Sequence, residues 1–276
     1  MTTALRIEPV STTNDLRDCC RHALSAGFDG VELLASGSTF TESELGIIGE
    51  GVEHAASNGE RIAVLALAGQ IQATAADAAR EELTVLSRLA RDLRVQHLNL
   101  AIPPLSGTSQ HLGFARYQDV LNFTYDLFTS SRLDCEAAGV AIGLEVAEGG
   151  CFLSPVEVRE IVDAVNSSAF GTCVDLKRIE RIGLTTDWMT TLGRRVHAVR
   201  MHCGQLSPRP TSIDSIDDTT AARATSTDAA DGPRLANLGA LLNKIGYEGP
   251  VIAAGTLEPS QLRALLAESG CPVIAE

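Results

Sequence analysis

Apolar runs of four to eight residues recur along this chain, each closed by a turn signal or by a polar residue. They read as strands at about Leu5–Val10, Val31–Leu34, Arg61–Leu67, Val95–Ile102, Ala141–Glu145, Gly171–Asp175, Ala198–His202 and Gly249–Ala254. Runs this short, bounded by Gly, Pro or polar residues, suit buried parallel strands. Between them the apolar period lengthens to that of a helix. Helices are expected at about Asn14–Ser25, Thr41–Asn58, Ala75–Leu93, Phe114–Ala138, from Ser154 onward, Leu235–Ile245 and Glu258–Ser269. Several carry their own punctuation: Gly139 stops the long fourth helix, and Ser154-Pro155 places a capping hydroxyl and an N1 proline at the start of the fifth.

Strands alternating with helices imply a parallel sheet, and eight strands in 276 residues favour closure into a single (β/α)8 TIM barrel over an open doubly wound sheet. No glycine-rich phosphate loop follows the first strand, which removes the main support for a dinucleotide-binding fold. The reading is one domain over residues 1–276, with one departure from the pattern. From Cys203 to Pro233 the chain turns to Ser, Thr, Asp, Pro and Ala without apolar period, as expected of a loop inserted after strand seven.

Composition narrows the function. The formal net charge of −13 and the absence of a basic cluster argue against nucleic acid as a partner. No apolar stretch approaches the ~20 residues that cross a bilayer, and the first residues do not resemble a signal peptide, so a cytoplasmic protein without membrane contact is expected. The seven cysteines are scattered and odd in number, which fits small apolar residues in a reducing compartment better than a disulfide framework. Cys151 and Cys203 stand out only because each lies just beyond a strand end of interest. A hydrophobic fraction of 45% is compatible with a homo-oligomer.

Candidate chemistry lies where strands five, six and seven end, on Glu145, Asp175 and His202, because a barrel of this kind presents its functional groups at the C-terminal ends of its strands. Glu32 ends strand two. His97 and Asn99 share one face of strand four, and if that face is the interior they line the same pocket. Lys177 and Arg178 follow Asp175 directly, and Arg209 lies in the polar insertion.

Three stretches, Gly27-Phe28-Asp29-Gly30-Val31-Glu32-Leu33, the series Leu144-Glu145, Val174-Asp175 and Met201-His202, and Leu241 to Pro250, together resemble the xylose isomerase-like TIM barrel superfamily, the sugar phosphate isomerase/epimerase group. The resemblance implies a divalent metal (Mn, Mg, Co or Zn) held by Glu145, Asp175 and His202, with a fourth ligand from strand eight. It further implies proton transfer next to the carbonyl of a small polyhydroxylated or keto substrate. Two positions break the pattern. The strand-eight Glu is replaced by Ala254, and where many members carry a His three residues after the strand-six Asp this chain has Arg178. The metal site is therefore expected to be degraded or lost, with Lys177 or Arg178 neutralising the remaining carboxylates, unless Glu258 or Glu276 supplies the missing ligand.

Glu145, Lys177 and His202 are thus the expected catalytic groups, with Glu32, His97, Asn99, Arg178 and Arg209 binding substrate. Two alternatives stand beside the isomerase/epimerase reading. One is a metal-independent lyase, cyclase or isomerase of specialised metabolism; the other is a non-catalytic barrel that binds a ligand. A DNA-repair endonuclease of the same fold needs more histidines than the six present, and a basic surface.

Overall fold

The computed structural model describes residues 2–7, 12–35, 41–57, 64–103, 116–146, 151–202 and 238–254. Eight parallel strands close on themselves in chain order: β1 Thr3–Ile7, β2 Gly30–Leu34, β3 Val64–Gln70, β4 His97–Ala101, β5 Ala141–Glu145, β6 Phe170–Asp175, β7 Val196–His202 and β8 Val251–Ala254. The ring is sealed by β1 against β8, with Ala4 opposite Ile252. Around it run α1 Thr13–Ser25, α2 Glu42–Ser57, α3 Ala76–Asp92, α4 Tyr117–Ala138, α5 Pro155–Val165, α6 Leu176–Ile179, α7 Thr185–Leu192 and α8 Leu238–Lys244.

The strands form where sequence pattern places them, with shifts at the edges. β1 lies two to three residues earlier than Leu5–Val10, and β3 begins at Val64 and runs on to Gln70. α6 and α7, between β6 and β7, had no boundaries in the sequence because both are short, of four and eight residues. The Glu258–Ser269 helix and the 203–233 insertion lie outside the described residues.

Local chemistry explains the helix ends. Thr12 caps α1 by accepting the Asp15 N–H, and Ser154 caps α5 by accepting the Val156 N–H with Pro155 behind it. Gly139 ends α4 in the left-handed conformation at φ 69°, which a side chain would strain.

Alternate strand residues divide two cores. Those pointing outward, such as Leu67, Leu98, Ile142, Val174, Val199 and Val251, pack with the helices in one large apolar cluster. Those pointing inward form a thin apolar plug of Ala4, Cys173, Ala198 and Ile252, with Leu65 against it. Most of these residues are small, so the plug is shallow. Above it, toward the C-terminal ends of the strands, the interior becomes charged.

Candidate functional site

The charged layer grows from strand register. Arg6 sits opposite Glu32 across β1 and β2, and Asp175 opposite Arg200 across β6 and β7. Paired residues of neighbouring parallel strands face the same way, so these four side chains are delivered to the barrel interior together with Asn99 and Glu145. The register slips between Thr172 and Cys173 against β7, and between Val31 and Glu32 against β3. Such irregularities re-aim side chains beside functional sites.

Arg200 is the hub. Its side chain is fully buried, and its guanidinium donates through Nε and Nη2 to Glu32 at 3.3 and 2.9 Å and through Nη2 to Glu145 at 2.8 Å. Asn99 donates to the same Glu32 at 2.8 Å, and the Arg6 guanidinium stands 3.6 Å from it. Glu145 accepts at its other oxygen from Arg178, at 3.1 Å. Three carboxylates therefore meet three guanidiniums.

Asp175 divides its oxygens between two tasks. Oδ1 caps α6 by accepting the Arg178 N–H at 3.2 Å, and Oδ2 lies 2.8 Å from His202 Nε2. Burial pushes the Asp175 carboxyl up, but the His202 hydrogen bond and the charges of Arg200 and Arg178 outweigh it and hold it below the usual carboxylate range. An ionised carboxylate only accepts, so His202 donates to Asp175 through Nε2. Burial likewise pushes Glu145 up and Arg200, Arg6 and Arg178 bring it down, leaving it an anion. The Cys173 thiol beneath them is raised by burial and stays protonated.

His202, Arg178 and Arg6 are the members that reach solvent, with side chains 29%, 25% and 19% exposed against 6% or less for Arg200, Glu32, Glu145 and Asp175. The layer thus has a sealed ionic floor and an accessible rim.

The structure brings together Glu32, Asn99, Glu145, Asp175, Arg178 and His202 from the sequence expectations. It places others elsewhere. Lys177 is exposed on α6, because the first turn after Asp175 directs Arg178, one residue on, back over the carboxylates. His97 shares the inward face with Asn99 but stands at the opposite end of β4. There it lines a separate cavity of about 440 Å³ with Arg194, His197, Tyr247 and Glu248. Burial drops the His97 imidazole to about 4, helped by His197. Arg209, Glu258, Glu276 and Cys203 lie outside the described residues. Cys151 is buried, without a disulfide.

Arg6 and Arg200 are the residues that sequence reasoning missed. The signal for Arg200 was present: it precedes His202 by two in the same strand, so period two puts both on one face.

A family model, the xylose isomerase-like TIM barrel, matches residues 20–269. The chain belongs to that family. No curated protein was found with a matching sequence. Among solved structures, this xylose isomerase-like barrel is similar to D-psicose 3-epimerase from Clostridium cellulolyticum H10 with D-tagatose, at TM-score 0.65 and 16% identity over 98% of this chain and 96% of that one. It is similar to 3-keto-D-glucoside 4-epimerase from E. coli at 0.67 and 11%, over 98% and 100%. To the IOLI protein with a bound zinc atom the values are 0.60 and 14%, over 97% and 95%. At these identities the likeness establishes the fold.

The described side chains at the strand ends do not fit a divalent cation. Among the described residues no three His, Cys, Asp or Glu side chains converge as a metal-binding group. Both oxygens of Glu145 accept from guanidiniums, both of Asp175 are engaged, and the strand-eight position opposite His202 is the buried methyl of Ala254.

Proposed function

We propose that the protein is an isomerase or epimerase that moves a proton at the carbon next to the carbonyl of a small polyhydroxylated or keto substrate. The observation that carries this reading is the Asp175–His202 pair at the rim of the barrel, 2.8 Å apart and beside the Arg178 guanidinium. A base oriented by a buried carboxylate, next to a cation, is what abstraction of a carbon-bound proton needs.

In this reading the substrate enters at the C-terminal ends of the strands. The neutral His202 imidazole takes the proton from the carbon beside the carbonyl, and Asp175 fixes the ring and supports the imidazolium that forms. Negative charge develops on the carbonyl oxygen, and Arg178 donates to it. Return of the proton from His202 to the former carbonyl carbon, with the proton of the adjacent hydroxyl passing through solvent to the former carbonyl oxygen, gives an isomer; delivery of a proton from water to the opposite face of the original carbon, the hydroxide left behind being neutralised by the proton on His202, gives an epimer. Glu145, with both oxygens held by arginines, positions Arg178 instead of exchanging protons. The structural similarity to sugar epimerases supports the substrate class.

The test is exchange with solvent. Incubated in D2O with a panel of ketohexoses, ketopentoses and their phosphates, the protein is expected to place deuterium next to the carbonyl of at least one, followed by NMR. His202→Gln should lower that rate by about 10²–10⁴-fold while the fold persists. Exchange undiminished in His202→Gln, or no exchange across the panel by folded protein, contradicts the proposal.

A further inference from the structure

We infer that Arg200 is a resident cation that occupies the centre of the site in place of a divalent metal, so that this barrel does its chemistry without one. The inference rests on the arrangement of charges and holds whatever reaction the site performs.

A divalent ion among carboxylates needs negative charge left over after the protein's own cations are counted, and oxygens free to point at it. Neither is present. Glu32, Glu145 and Asp175 are matched by Arg6, Arg178 and Arg200 within 3.8 Å, and the guanidinium of Arg200 lies between Glu32 and Glu145. An arginine remains protonated at any working pH, so this charge cannot be titrated away to admit an ion. A guanidinium is also planar and forked, and it spans two carboxylates where a metal would collect oxygens about a point. Driving an ion in would require breaking the buried pairs of Arg200, which costs several kcal/mol once a charge is left buried and alone.

Two further details agree. Ala254, the β8 residue in register with His202, places a methyl where a metal cage would need a donor. Arg200 Nη1 is buried without a hydrogen-bond partner among the described residues and stands 3.8 Å from Asp175. The guanidinium therefore points its one uncommitted corner toward the Asp175–His202 pair, where a substrate oxygen or a water completes it.

The experiment measures metal directly, without an activity assay. Full-length protein purified without chelator is analysed for bound metal, and its Tm is recorded with and without millimolar Mn²⁺, Co²⁺ or Zn²⁺. The expected result is less than a tenth of an ion per chain and no shift that depends on Asp175 or His202. The reciprocal variant, R200M/A254E, removes the resident cation and supplies a carboxylate. It should bind about one Mn²⁺ or Co²⁺ per chain and melt higher when the ion is added. One ion per wild-type chain, lost in Asp175→Asn, overturns the inference. So does a folded R200M/A254E variant that takes no ion. Should that variant fail to fold, the wild-type measurement decides alone. Failure of the deuterium exchange would leave this result untouched, and metal in the wild type with exchange intact would leave proton transfer standing without the Asp175-held His202 as its base.

Discussion

At the scale of single residues, the site is governed by how buried charges find partners. Glu32 is fully buried and accepts from Arg200 and Asn99 with Arg6 beside it. Removing its charge leaves Arg200 short of a counter-ion in the interior. Glu32→Gln is therefore expected to lower stability by about 3–5 kcal/mol, read from urea unfolding at pH 7; a change under about 1 kcal/mol would mean that the Arg200 charge is satisfied elsewhere. His97 offers a pH-dependent counterpart at the other end of the barrel. Its imidazole is held near 4 against an ordinary 6.5, in a cavity that also contains His197, Arg194, Tyr247 and Glu248. Above pH ~6.5 it is neutral in folded and unfolded chain alike. As pH falls from 6.5 toward 4, only the unfolded chain takes up the proton, so stability falls through that window by roughly 3 kcal/mol. His97→Gln should flatten that part of the profile, measured as Tm between pH 7 and 4.5.

At the scale of elements, the same physics decides what can be read from sequence. Apolar runs ending on Glu145, Asp175 and His202 were legible because parallel buried strands are continuous hydrophobic segments, and a polar residue at the end of one is conspicuous. Arg200 was hidden for the opposite reason: it stands inside such a run, where a charge is expected only if partners from other strands meet it. Those partners, Glu32 and Glu145, lie 168 and 55 residues away. Lys177 and Arg178 could not be told apart by sequence, since which one turns back over the carboxylates depends on the α6 turn that Asp175 itself caps. His97 and Asn99 were correctly placed on one face, but period two does not say which end of the barrel each serves. Capping, by contrast, is local. Ser154→Ala removes the bond to the Val156 N–H and is expected to cost about 1 kcal/mol in urea unfolding. Close approach is not local: a Cβ on Gly171 would stand 2.5 Å from the His197 ring and closer still to the Arg195 carbonyl. Gly171→Ala should thus lower Tm by several degrees and disturb β6 against β7, with circular dichroism melting as the check.

At the scale of the molecule, closure of the barrel is what makes the charged layer possible. Residues from β1, β2, β4, β5, β6 and β7 meet only because β1 pairs with β8 and seals the ring. The plug beneath is built from small side chains and leaves room for arginine. That room is filled by the Arg200 guanidinium. A crystal structure of the protein grown in Mn²⁺, with anomalous diffraction collected near the manganese edge, tests this most sharply. The expected map has the Arg200 guanidinium between Glu32 and Glu145 and no anomalous peak at the strand ends. A peak bound by Glu145, Asp175 and His202, with Arg200 displaced, would contradict it.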